Sequence, residues 1–148
     1  MKNESQDAGT PNFGLGTDIV EIRRFRELDW DAPFFARVFT RDELVYCRKF
    51  VDNAPHFAAT FAGKEAIVKA MNQHRKLSVS DIEILRDFDG SPYVLVENLH
   101  DIEILVSLSH SEKYAVAVAL VIPKVQLENV ELFRKLLNET TQTILPRQ

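Results

Sequence analysis

A single cysteine, Cys47, stands in the chain of 148 residues, so no intramolecular disulfide can form. A lone thiol fits a reducing compartment, and the expected location is cytoplasmic. In "ELVYCRKF" it lies among apolar neighbours on an expected helix, which argues against a catalytic thiol. No run of about 18 apolar residues occurs, so no transmembrane span is expected. The opening "MKNESQDAGTPN" has no apolar stretch of the kind a secretory signal needs, and residues 1–12 read as a flexible tail. Positive charge is also in short supply. The net charge is −4, which speaks against a general nucleic-acid binder.

What is present suffices for one domain with a real core, since 45% of the residues are hydrophobic. "FGLGTDIVEI" (13–22) reads as a first strand opened by two glycines that let backbones approach closely. "TRDE" (40–43) matches a capping box, with Thr40 as N-cap and Glu43 three residues on, so a helix should begin there. Pro55 stands where a helix start tolerates it, and a long helix should run from His56 to about Asn72. Its apolar positions, Phe57, Phe61, Ile67, Val68 and Met71, suit burial over much of the circumference. "SVSDIEILRDF" and "PYVLVENL" flank "DGS", a hairpin signal. "DIEILVSLSH" (101–110) and the continuous apolar run "YAVAVALVI" (114–122) supply two more strands. Residues 125–138 repeat apolar residues at helical spacing and predict an amphipathic C-terminal helix. The expected fold is α+β, a single domain with one long helix packed on a mostly antiparallel sheet.

Three places carry polar groups where packing alone would not ask for them. Asp18 interrupts the first strand, and His110 ends "SLSH". Lys64, Glu65 and Lys69 interrupt "FAGKEAIVKAM" (61–71), the most buried part of the long helix. Each has an ordinary reading: an exposed strand Asp, a turn His, an i,i+4 Glu–Lys pair worth about 0.2–0.5 kcal/mol. Together, two carboxylates with lysines and a histidine could serve a diphosphate with its metal, because Mg²⁺ usually takes only one or two carboxylates plus phosphates and water. The same carboxylates could equally act as general acid and base. A second anomaly is a basic stretch. From Arg23 to Lys49, seven basic and five acidic residues leave +2 within an acidic protein, a solvated face or a dock for an acidic partner.

"GLGTDIVEIRRF", "FAGKEAIVKAM" and "VSLSHSEKYAVAVAL", in this order and with the hairpin between them, resemble the holo-acyl-carrier-protein synthases, the small 4′-phosphopantetheinyl transferases. The resemblance spans residues 13–122. It divides the chain into the tail (1–12), a phosphopantetheinyl transferase domain (13–122) and a C-terminal helical extension (123–148). It implies transfer of 4′-phosphopantetheine from coenzyme A to a serine of an acyl carrier protein, releasing adenosine 3′,5′-bisphosphate. By position, Asp18 and Glu65 would hold Mg²⁺. Glu65, Lys69 and His110 would be catalytic, with Glu65 or a water beside it as the base. Lys64, Lys69, His110 and Arg75 would contact coenzyme A. Arg24, beside Arg23 and Arg26, would receive the acidic carrier, and the family implies a homotrimer with active sites between protomers.

The chain departs from the family pattern at several points. An arginine usual three residues before position 63 is Thr60 here, and Gly63 replaces a usual alanine. The Gly-rich turn after the helix motif is "NQHRKLS" (72–78), where His74, Arg75 and Lys76 offer charge instead. The C-terminal helix is longer than the family core requires. Two other readings fit part of this. One is a relative that binds carriers without modifying them. The other, from architecture alone, is a hot-dog-like thioesterase that needs no metal.

Overall fold

The computed structural model describes residues 12–124 and 130–144. The tail expected over 1–12 lies almost wholly outside the described residues. In chain order the elements are β1 (Gly14–Glu21), α1 (Arg23–Arg26), α2 (Pro33–Val38), α3 (Arg41–Cys47), α4 (Ala54–Met71), β2 (Ile82–Arg86), β3 (Pro92–Val96), β4 (Ile102–His110), β5 (Tyr114–Pro123) and α5 (Val130–Ile144). Helix α1 is the basic helix after the first strand that the family resemblance implies, while α2 was not anticipated, because six residues are too few to display a helical period. The C-terminal helix is α5, which continues to Ile144, past the expected end at 138, and 125–129 lie outside the described residues.

All described strand pairs are antiparallel. β5 is the centre of a three-stranded sheet with β1 on one edge and β4 on the other, and β2 and β3 form a separate hairpin. Gly90, with φ +85°, makes the hairpin turn that Asp89-Gly90 announced. Helix α4 lies across the inner face of the sheet. Ile67, Ala62, Ala66 and Met71 are sealed there against Val121, Ala119, Ala117 and Ala115 of β5 and Val106 of β4. A cluster of phenylalanines (Phe25, Phe35, Phe39 and Phe57) closes the far end of this core, with ring centroids 4.8–6.5 Å apart.

Backbone contact sets the position of α4. A Cβ on Gly14 would fall 1.9 Å from the Ala70 carbonyl oxygen, and one on Gly16 would fall 1.9 Å from that of Ala66. Only glycine lets β1 lie this close to the helix. On the other side, a Cβ on Gly63 would meet Ile84 at 2.7 Å and Leu108 at 2.9 Å. This accounts for glycine at a helix-interior position, where it costs about 1 kcal/mol relative to alanine.

The outer face of the sheet is covered in part by α5. Leu137 packs with Leu105, Val118 and Ile122, and Ser107 hydrogen-bonds Thr141 inside this layer. Leu15 and Ile19 of β1, on the same outer face, stay 67% and 62% exposed.

Candidate active site

Alternation along β1 turns Gly14, Gly16 and Asp18 toward α4. The carboxylate of Asp18 accepts from the Lys69 amine at 2.8 Å, and the same amine donates to the Thr17 carbonyl at 2.8 Å. Glu65, partly buried, stands one helical turn before Lys69 on the same side of α4. So Asp18 and Lys69 meet at the β1–α4 crossing, with Glu65 one turn away on α4, a placement that spacing alone does not give. Among the described residues no group of three or more His, Cys, Asp or Glu side chains could hold a metal alone. Two carboxylates are nevertheless the donor set that suits Mg²⁺ completed by substrate phosphate and water. The residues fit that ion.

Lys64 requires a correction. It does not face this groove or any ligand: its side chain and that of Glu43 are both 0% exposed, with the amine 2.6 Å from Glu43 Oε2. The amine also donates to the Val38 carbonyl at 2.6 Å and lies over the Phe39 ring. Burial pulls the amine below the ordinary lysine value, and the Glu43 carboxylate opposes this. Glu43 in turn accepts from the Thr40 and Ile84 backbone N–H groups, at 2.8 and 2.7 Å. Thr40 donates its hydroxyl to Glu83. Lys64 therefore ties α2, α3 and β2 to α4 and is unavailable to a phosphate.

His110 lies elsewhere. Glu65 follows His56 by nine residues, two and a half turns, so the two point to opposite sides of α4. His110, at the end of edge strand β4, has its ring centroid 6.0 Å from that of His56. The two histidines line a cleft of about 800 Å³ together with Arg26, Asp52, Arg86 and Glu112; Asp18, Glu65 and Lys69 do not reach it. His56 stacks on Phe50 at 3.5 Å. Burial, then the nearby His110 and Arg86, lower its pKa, against the pull of Asp52. One chain thus carries two separate candidate half-sites: a carboxylate–lysine groove and a cleft of arginines, histidines and carboxylates on the far flank of the helix.

Arg75 is the second correction. Its guanidinium donates to the Glu97 carbonyl at 2.9 Å, at the wall of a different cleft that Asp81, Glu83 and Glu97 make acidic. The arginine does not line the His110 cleft. The turn it belongs to is anchored by buried Leu77 instead of by glycine.

The basic stretch also sorts itself. Arg26 is held by both oxygens of Asp52, at 2.6 and 2.9 Å, and Arg23 lies 3.4 Å from Glu27. Arg24 has no carboxylate partner among the described residues and rests over the Phe61 ring. Burial pushes the Cys47 thiol up to about 12, so no thiolate is on hand. His56 and Arg86, which line the cleft with His110, are not among the residues read from the motifs. The signal for Arg86 was Thr60, the missing arginine, because the Arg86 guanidinium reaches the Thr60 hydroxyl at 3.4 Å.

Against known proteins, a family model described as "4'-phosphopantetheinyl transferase superfamily" matches residues 14–119. The holo-[acyl-carrier-protein] synthase of Thermodesulfovibrio yellowstonii is 36% identical over 110 residues, covering 73% of this chain and 96% of that protein. An ACPS–CoA complex from Chronobacterium ammoniagenes superposes with TM-score 0.64 at 27% identity, over 75% of this chain and 97% of that one. The holo-(acyl-carrier-protein) synthase of Bacillus anthracis, in complex with CoA (3',5'-ADP), gives TM-score 0.64 at 28% identity, over 74% and 96%. The matched residues end before α5.

Proposed function

Because the chain belongs to the holo-[acyl-carrier-protein] synthases of the 4′-phosphopantetheinyl transferase superfamily, we propose that it transfers 4′-phosphopantetheine from coenzyme A to a serine hydroxyl of an acyl carrier protein. The observation that carries this reading is the Asp18–Lys69 pair, set at the β1–α4 crossing with Glu65 one turn away. The serine oxygen bonds to the phosphorus that bears pantetheine as the bridging P–O bond breaks. Adenosine 3′,5′-bisphosphate leaves with the bonding electrons. Asp18 and Glu65 would hold Mg²⁺, which when bound supplies positive charge against the diphosphate oxygens. Lys69 would place its ammonium on the oxygens where charge grows. Glu65, or a water it orients, takes the serine proton. Arg86, His56 and His110, gathered in one cleft, suit the phosphates of the nucleotide end.

The two half-sites lie on opposite flanks of α4, so we assign a complete site to two copies of the chain and a homotrimer to the assembly. The exposed Leu15 and Ile19, with Leu132 and Leu136 exposed on α5, support a covered face in the assembly. Arg24 leads the carrier-docking surface, with Arg23 and Arg26 partly neutralised by their acids. The buried, unpaired Cys47 agrees with a cytoplasmic setting. The hot-dog-like thioesterase is set aside, since the chain matches the transferase family over residues 14–119.

The test is to incubate the protein with coenzyme A, Mg²⁺ and an apo acyl carrier protein and to weigh the carrier. One added phosphopantetheine, lost with EDTA, is the expected result. An unmodified carrier that still binds the protein would establish the non-catalytic binding module instead.

A further inference from the structure

The cleft on the far flank of α4 contains one guanidinium without an ion-pair partner among the described residues, although the exposed Glu112 lines the same cleft. Arg26 has Asp52, but among the described residues no carboxylate stands within ion-pair distance of Arg86. Its recorded partners are the Thr60 hydroxyl at 3.4 Å, the Leu85 carbonyl at 3.3 Å and the face of the Tyr46 ring, 5.2 Å away. Two long hydrogen bonds and a ring leave most of its five N–H donors unused. The side chain is half-buried, and burial lowers its pKa more than the neighbouring Tyr46, Cys47 and Glu43 raise it, the sign of a cation whose desolvation is only partly offset. A charge kept in such surroundings is costly unless an anion arrives to meet it. The position has a further meaning. Thr60, which Arg86 touches, is where the family pattern has an arginine on α4, and in this chain β2 brings a guanidinium to the same spot from the opposite wall.

We infer that Arg86 is a phosphate-binding residue for the donor nucleotide, supplying from β2 the guanidinium that α4 lacks at Thr60. This rests on coenzyme A being the donor. A guanidinium presents paired donors to phosphate oxygens, and His56 and His110 stand in the same cleft to share the anion. Coenzyme A carries two kinds of phosphate, a ribose 3′-monoester and the diphosphate, and either would satisfy this chemistry.

The experiment is calorimetric titration of coenzyme A and of dephospho-coenzyme A, with Mg²⁺, into wild type, Arg86→Gln and the double variant Arg86→Gln/Thr60→Arg. Arg86→Gln should raise the Kd for coenzyme A about ten- to hundred-fold. Its melting temperature should not fall, since a charge whose desolvation is only partly offset has been removed. Thr60→Arg in the double variant should recover much of the affinity. If the weakening disappears with dephospho-coenzyme A, Arg86 holds the 3′-phosphate; if it persists, Arg86 holds the diphosphate. An unchanged Kd in Arg86→Gln, while wild type binds, overturns the assignment and leaves the transferase reading intact. So does a weakening that tracks a lower melting temperature and is not recovered by Thr60→Arg. No binding by wild type would overturn the donor itself, and this inference with it.

Discussion

Lys64 and Lys69 belong to one motif on one helix, five residues apart, and they meet opposite surroundings. Five residues turn an α-helix by about 140°, so one lysine looks into the protein when the other looks along the β1 groove. Lys64 is sealed with Glu43, while Lys69 is half-exposed on Asp18. The difference teaches that an ion pair can be structure or machinery with the same residue types. Solvent access decides, because only the open pair can exchange its partner for a ligand.

The largest effect that would break this contrast is on turnover. Asp18→Ala or Glu65→Ala should lower phosphopantetheine transfer by at least about a hundred-fold, since each removes charge from the reacting groove. The melting temperature should stay within a few degrees, as neither side chain fills the core. Transfer at the wild-type rate in either variant, read by carrier mass, would remove the groove from the reaction.

The converse holds for the sealed pair. Glu43→Ala leaves Lys64 as a buried ammonium with only the Val38 carbonyl, and should cost about 3–5 kcal/mol of stability. Lys64→Met should cost less, because Glu43 keeps the Thr40 and Ile84 N–H groups. Lys69→Ala should cost at most about 1 kcal/mol, as an exposed pair does. Denaturant unfolding of the three variants ranks them, and a Lys69→Ala cost as large as that of Glu43→Ala would erase the distinction.

Why was one lysine legible and the other not? β1 and α4 were legible as elements because Gly14, Gly16 and Asp18 share a strand face, and Glu65 and Lys69 share a helix face. Local period is enough to place both. Glu43 had been explained already, as the third residue of a capping box, and the box is there: Thr40 Oγ1 accepts from the Glu43 N–H while Glu43 Oε2 accepts from the Thr40 N–H. That role left no reason to seek a second partner 21 residues on. A carboxylate has room for several donors, and a local motif does not exhaust it. Arg75 was misread for a related reason. Charge in a loop shows that a cation is available, while its direction depends on the nearest free carbonyl, here that of Glu97. The separation of His110 from Asp18 was beyond any pattern, since it depends on which strand occupies which edge of the sheet.

A smaller effect concerns the surface before α4. Arg24→Glu should raise the carrier KM several-fold at low salt and leave the coenzyme A KM unchanged, because complementary charge acts mainly on encounter. The gap should narrow as salt rises, since exposed charges are screened. Arg23→Glu should do less, its charge being shared with Glu27. Equal effects of the two substitutions, or a carrier KM that does not move, would mean that this helix is not the dock.

The smallest expected effect lies on the third side of α4, where His56 is neither sealed like Lys64 nor open like Lys69. Burial first, then His110 and Arg86, hold its pKa below the ordinary value of 6.5, while Asp52 pulls the other way. Below 6.5 the unfolded chain takes up the proton more readily than the folded one, so acid favours unfolding through this group. Its contribution is therefore complete above 6.5 and is lost as pH falls through the lower folded value. His56→Phe keeps the stack on Phe50 and removes the titration. From about pH 8 to about pH 5, wild type should lose melting temperature relative to that variant, with His110, Asp52 and Arg86 common to both proteins. Parallel curves would mean that the imidazole is as well solvated as a free one, and α4 would then have two kinds of surroundings for its polar groups, not three.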